Sequence, residues 1–298
     1  MRWWKPISRC WAARVANPLW WLASFAARWL PAPLKRSLYK WGPVSRSIRA
    51  ALNRTAPGGL TEVKVAAGVL QGTPLLLDPH SEKDYWLGTY EMDLQQAIRD
   101  WAKAGMVAFD LGANVGYTSL MLARQVGVKG MVFAFEPLPA NQERLNANLA
   151  LNPHLPVSLV PMAVADKSGK RTFQVHSSDD MGKLQGSVGR QTDYSNSIQV
   201  ETIALDDFVS KQDQPLPDLV KIDIEGGETL ALAGMERVLK EKRPLLLIEL
   251  HGPEAAQRVW DLLQRANYHW HRLTKGYTRI DNIGEIDWKG YVLCRPVA

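Results

Sequence analysis

Carboxylates that close short apolar runs are the residues of this chain best suited to chemistry. Asp110 follows Val107-Ala108-Phe109, and Glu136 follows Met131-Val132-Phe133-Ala134-Phe135. Asp223 follows Leu219-Val220-Lys221-Ile222. Glu249 follows Leu245-Leu246-Leu247-Ile248, with His251 two residues on. Runs of this kind read as buried strands. In open α/β sheets ligands bind beyond the carboxyl ends of the strands. Surface acids scattered at random would not keep choosing strand ends, so a shared pocket is the best single explanation.

Asp110 leads into Gly112-Ala113-Asn114-Val115-Gly116, and Tyr117 to Leu122 then reads as a helix. Glu136 lies twenty residues beyond Gly116. A strand–turn–helix–strand unit with an acid closing its second strand suits a nucleoside: glycines admit close backbone, and the acid accepts hydrogen bonds from ribose hydroxyls. The glycine spacing is not the dinucleotide fingerprint, whose tight turn seats a pyrophosphate on a helix N-terminus. Asp110 beside the turn disfavours a diphosphate and favours a cation. S-adenosylmethionine, with a ribose, an ammonium and a sulfonium but no phosphate, fits. An ordinary crossover whose glycines only make the turn would read the same way.

Asp223-Ile224-Glu225-Gly226-Gly227-Glu228 follows the next buried run and opens a helix. Glu225 and Glu228 could simply face the helix dipole. Asp223 is the first candidate for a general base. His251 is the second, because its ordinary pKa suits proton transfer near neutrality, and Glu225 stands beside them. Asp223, Glu225, Glu249 and His251 could also hold a hard divalent ion that lowers a hydroxyl's pKa. The chemistry does not require one, and no metal ligand is assigned.

The formal charge of +6 is unevenly placed. Eleven basic residues precede the first acid, Glu62; the rest of the chain carries 25 basic against 30 acidic residues. A nucleic-acid-binding catalytic domain is more often basic itself. Seven of the 12 Trp fall in residues 1–50. Trp and Arg in that density resemble an interfacial membrane segment, while the longest uncharged run there, Val15 to Ala27, is 13 residues and too short to span. A helical cap on the domain and a processed leader are the other readings. The expected location is cytoplasmic, with peripheral contact at the inner face of the membrane. Cys10 and Cys294 sit at opposite ends with no zinc spacing.

The organisation expected is a basic Trp-rich helical extension over 1–52, a linker at 53–59, and one α/β domain over 60–298. Residues 62–78 read as a hairpin and Tyr85 to Lys103 as a helical segment. Strands follow at 107–110, 131–135, 157–162, 219–223 and 245–250. Extra strands at 171–175 and 198–203 flank a polar loop. A helix at about 254–266 and strands near 268–273 and 289–294 close the chain. Such alternation argues for a parallel sheet covered on both faces.

Several segments resemble the FkbM family of S-adenosylmethionine-dependent methyltransferases. They are Trp86-Leu87-Gly88-Thr89-Tyr90-Glu91, Phe109 to Tyr117, Phe135-Glu136-Pro137, Ala163-Val164-Ala165-Asp166, Thr202 to Asp206, Lys221 to Glu228 and Ile248-Glu249-Leu250-His251. They run in the family's order over about residues 62–295. The resemblance implies a Rossmann-like sheet of seven strands, mostly parallel with the last antiparallel, and methyl transfer to a hydroxyl oxygen of a glycan or another polyhydroxylated metabolite. It implies that Asp110, Gly112, Asn114 and Gly116 line the methionine part, that Glu136 holds the ribose, and that Ala163 borders the adenine. Glu91 closes the pocket, with Asp223 bordering cofactor and acceptor alike. An RNA methyltransferase, or a catalytically silent membrane-associated nucleoside-binding module, are the alternatives.

Overall fold

The computed structural model describes residues 59–176, 181–187, 194–286 and 290–297. The Trp-rich extension lies outside them. The chain divides into two compact units, one ending at Tyr90 and one running from Glu91.

In the first unit, β1 (Thr61–Lys64) pairs antiparallel with β2 (Pro74–Leu77) in the expected hairpin, and α1 is Lys83–Leu87. Trp86 is buried and its ring N–H donates to the carbonyl of Pro79.

The second unit opens with α2 (Met92–Trp101), whose Leu94, Ala97 and Ile98 form the buried stripe. The single helical segment expected over 85–103 is therefore two helices. Gly88 at φ 74° and Glu91 at φ 42° take left-handed backbone between them, which a continuous helix cannot accommodate. Then come β3 (Val107–Leu111), α3 (Tyr117–Val126), β4 (Met131–Phe135), α4 (Pro139–Ala150), β5 (Val157–Val160) and β6 (Ala163–Val164). β7 (Gly169–His176), β8 (Gly182–Leu184), β9 (Tyr194–Ile203) and α5 (Leu205–Lys211) follow. Next are β10 (Leu219–Ile222), α6 (Glu228–Ala233), α7 (Glu236–Glu241) and β11 (Leu245–Glu249). The chain closes with α8 (Pro253–Arg265), β12 (Tyr268–Arg272), β13 (Arg279–Ile280) and β14 (Tyr291–Pro296).

The central sheet runs β13-β12-β14-β11-β10-β3-β4-β5. β5, β4, β3, β10 and β11 are parallel, and β14 inserts antiparallel between β11 and β12. These are the seven strands expected, with the antiparallel last strand in place. The two-residue β13 adds an eighth at the edge. β10 is buried at every position, as a central parallel strand must be. Phe109, Phe133 and Phe135 pack edge-on against Phe208 of α5, with ring centroids 5.0–5.6 Å apart. A second sheet, β6-β9-β7-β8, covers its own core of Leu138, Phe173, Val175, Leu184 and Val200. The short strands β6, β8 and β13 carry too few residues to show a period in sequence.

From β3 the chain builds outward through β4 to β5, then returns to place β10 on the other side of β3. The crevice at the carboxyl ends of β3 and β10 is the topological switch point, where such sheets bind ligands. Gly112 marks how closely the two strand ends meet. It sits at φ 80°, and a Cβ there would lie 1.9 Å from the carbonyl oxygen of Asp223, so only glycine fits.

Candidate active site

Asp110, at the end of β3, has no exposed surface. Its Oδ2 accepts from the Ser119 hydroxyl at 2.6 Å, and its Oδ1 lies 3.1 Å from Lys221 Nζ. Lys221 is the residue directly across the β3–β10 ladder from Asp110 and is 2 % exposed. Its ammonium also donates to the Gly112 carbonyl at 2.9 Å and stands 3.5 Å from Asp223 Oδ2. Burial alone would lower the lysine's pKa, but Asp110 and Asp223 more than offset it and hold it above its ordinary value. Asp110 therefore shapes the crevice from beneath rather than facing it.

The loop above takes left-handed backbone at Gly112, Asn114 (φ 49°) and Gly116 (φ 88°). This folds it back on the end of β4. The Asn114 N–H donates to Glu136 Oε2 at 2.8 Å, and the Leu138 N–H donates to Oε1 at 2.9 Å. Asn148 of α4 pins the loop by donating to the Val115 carbonyl. Burial pushes the Glu136 carboxyl up to about 7, against the pull of its backbone donors, Asn141 and Lys221. Ala163 is buried in β6 and packs in the same apolar cluster as Leu138.

Asp223, Glu225, Glu249 and His251 converge, as their strand-end positions led us to expect. His251 is 2 % exposed and its Nδ1 is 2.8 Å from Glu228 Oε1. An ionised carboxylate only accepts, so Nδ1 carries the proton and Nε2 turns toward the other acids. Nε2 stands 3.7 Å from Asp223 Oδ1, 3.7 Å from Glu225 Oε2 and 4.0 Å from Glu249 Oε2. Burial lowers the histidine's pKa, but Glu228, Asp223 and Glu225 outweigh it and raise it to about 9. Glu249 rises to about 8 through burial and the neighbouring Asp223 charge. Burial raises Asp223 too, yet Lys221, His251 and a 2.7 Å hydrogen bond from the Tyr291 hydroxyl leave it below its ordinary value.

Tyr291 also lines a cavity of about 320 Å³ with Glu91, Asp93, Arg272 and Thr274 on its walls. Partial desolvation and the Asp223 and Asp93 charges hold the Glu91 carboxyl above its ordinary range. The acidic cluster thus adjoins the glycine-rich loop through Lys221 and, through Tyr291, a cavity whose other walls include Leu273, Ile280 and Val292.

Three participants escaped the sequence reasoning. Lys221 was visible as a lone cation inside an apolar run. Glu228 was visible but equally explained by the helix dipole. Tyr291 carried no signal, because only the insertion of β14 beside β11 places it opposite Glu249.

The family model for the methyltransferase FkbM domain matches residues 110–270. The chain belongs to the FkbM methyltransferase family. Its matched region contains every strand-end acid described above and His251. Among relatives, the hexuronic acid methyltransferase AglP of Haloferax volcanii is 26 % identical over 59 % of this chain and 69 % of its own length. The 2-O-methyltransferase NoeI of Sinorhizobium fredii is 28 % identical over 50 % of this chain and 65 % of its own. The chain thus spans about two thirds of the length of these relatives. A solved FkbM methyltransferase from Methylobacillus flagellatus superposes with a TM-score of 0.42 and 16 % identity, covering 71 % of this chain and 52 % of that one.

In this methyltransferase the lysine pair is a structural hinge of the site, and it is testable. Lys221→Met leaves Asp110 buried without its counter-charge. The expected loss is about 3–5 kcal/mol of folding stability, read by urea unfolding. A loss within experimental error would mean that the ammonium does not hold the strand ends together.

Proposed function

We propose that this S-adenosylmethionine-dependent methyltransferase methylates an oxygen of a sugar. The observation that carries this is the Tyr291 hydroxyl. It bonds the strand-end acid Asp223, and Tyr291 also lines the cavity, so the proton-accepting group and the acceptor space adjoin. The names of two relatives, a hexuronic acid methyltransferase and a 2-O-methyltransferase, support a saccharide acceptor. They do not favour RNA or a silent binding module.

The residues at the switch point suit the cofactor. Glu136 offers a carboxylate at the end of β4, and the loop through Gly112, Asn114 and Gly116 brings backbone rather than side chain to the crevice. The carboxylates there suit a cationic ligand better than a phosphate. Bound S-adenosylmethionine supplies a methyl group already activated as a sulfonium. Glu136 accepts the ribose hydroxyls. Asp110 holds the loop from below through Lys221, and Ala163 borders the adenine end. Glu91 and Arg272 orient the acceptor within the cavity. Asp223 takes the acceptor proton at Oδ1 while Tyr291 fixes Oδ2. His251, locked by Glu228, stands beside that proton with Glu225.

Residues 1–52 are proposed to meet anionic lipid through their Arg and Trp, bringing the enzyme to a membrane-proximal glycan from the cytoplasmic face. Among the described residues no helix is long and apolar enough to cross a membrane.

The function is tested by methyl release to candidate sugars and uronic acids. Asp223→Asn should lower transfer at least about a hundredfold while cofactor affinity stays within a few fold; undiminished turnover removes Asp223 as the base. Ribose hydroxyls need an ionised acceptor, so cofactor affinity should fall about tenfold from pH 8 to pH 6 as Glu136 takes up its proton near 7. Glu136→Gln should flatten that dependence in calorimetry, and a slope retained in the variant assigns it elsewhere. Full-length protein should sediment with phosphatidylserine vesicles, and protein lacking residues 1–50 should not. Equal sedimentation of both discards the lipid role.

A further inference from the structure

The buried histidine points to a ligand that the methyl-transfer reaction does not itself demand. His251 is almost wholly buried, yet it donates only through Nδ1. Its Nε2 is aimed into the acids, and the three carboxylate oxygens around it stand at 3.7, 3.7 and 4.0 Å, beyond hydrogen-bonding distance.

We propose that Asp223, Glu249 and His251 form a divalent-cation site of the Mg²⁺ or Mn²⁺ class. One ligand atom from each lies within 4.8 Å of the others. Around an octahedral ion with bonds of about 2.1 Å, ligand atoms stand about 3–4.2 Å apart. The Nε2 distances to Asp223 and Glu249 fall inside that span, so small side-chain shifts suffice. Two carboxylates with one imidazole suit a hard to borderline ion, not zinc or copper held by thiolate.

The second observation is Glu228. It has no exposed surface, and it accepts a hydrogen bond from the Nδ1–H as well as one from the Gly226 N–H at 3.0 Å. A carboxylate behind a histidine, fixing its tautomer and ring plane, is the support that metal-bound histidines use. It leaves Nε2 pointing at the centre of the cluster, where an ion would displace the proton the acids hold on it. Charge adds to the case. Asp110, Asp223, Glu225, Glu228 and Glu249 crowd this end of the sheet, with Lys221 and the protonated His251 ring among them. The cofactor's sulfonium could answer part of that charge but cannot be ligated by Nε2; a metal ion that displaces the ring proton does both. In transfer the ion would polarise the acceptor hydroxyl beside the cavity. That role rests on the methyl-transfer reading, whereas binding does not.

The probe is Mn²⁺ added to the full chain without cofactor or acceptor, with free Mn²⁺ read by electron paramagnetic resonance. One ion per chain should bind and be displaced by Mg²⁺. Asp223→Asn and His251→Gln, confirmed folded by circular dichroism, should each weaken binding at least about tenfold. Glu249→Gln carries the same comparison should His251→Gln not fold. Mn²⁺ left free at millimolar concentration, or bound equally by the variants, overturns the site. A chain that binds Mn²⁺ but methylates no sugar overturns the O-methylation reading and leaves the ion site standing. Full transfer in EDTA with no Mn²⁺ bound does the reverse.

Discussion

One ammonium group underlies the geometry of this crevice. Lys221 Nζ sits among Asp110, Asp223 and the Gly112 carbonyl, with almost no solvent to share the charge. Two carboxylates at the ends of adjacent buried strands repel strongly in a low-dielectric interior. A cation between them turns that repulsion into attachment. It also ties the glycine-rich loop to β10, because the same ammonium that neutralises the acids accepts no bond of its own and must spend its donors on their oxygens and the Gly112 carbonyl. Loop shape, Asp223 orientation and the strand register are therefore one problem with one solution.

A second chain of contacts runs through the histidine. Glu228 fixes the His251 ring, His251 presents Nε2 to Asp223, Glu225 and Glu249, and Tyr291 holds Asp223 from the opposite side. Each group restricts the next, so Asp223 is held in a set orientation beside Tyr291, which lines the cavity. Preorganisation of this kind is how a methyltransferase gains rate, since the donor is already activated and the protein's task is alignment and proton removal. The two chains of contacts meet at Asp223, which Lys221, His251 and Tyr291 all approach.

The parts of the site that could be read from sequence are those whose signal is local. An apolar run that ends in an acid shows Asp110, Glu136, Asp223 and Glu249, and the glycine spacing shows the loop. The parallel sheet followed from the same runs, whereas its antiparallel last strand was implied by the family resemblance. What could not be read depended on partners far along the chain. The split at Gly88 and Glu91 needed backbone torsions, and β6, β8 and β13 were too short to show a period. Ala163, named at the adenine by resemblance, lies in β6 of the second sheet, a strand too short to be read from the sequence.

The sequence by itself determined the elements, their order and the family, because burial periodicity and turn chemistry act over a few residues. Only the tertiary structure decided which acid is sealed in the interior and which keeps some exposure at the strand end. Asp110 and Asp223 read alike in sequence, each closing an apolar run. The register that sets Lys221 opposite Asp110, and the inserted strand that brings Tyr291 to Asp223, give them different surroundings. Charge in a protein interior takes its meaning from such neighbours, and neighbours separated by sixty or more positions exist only once the chain has folded.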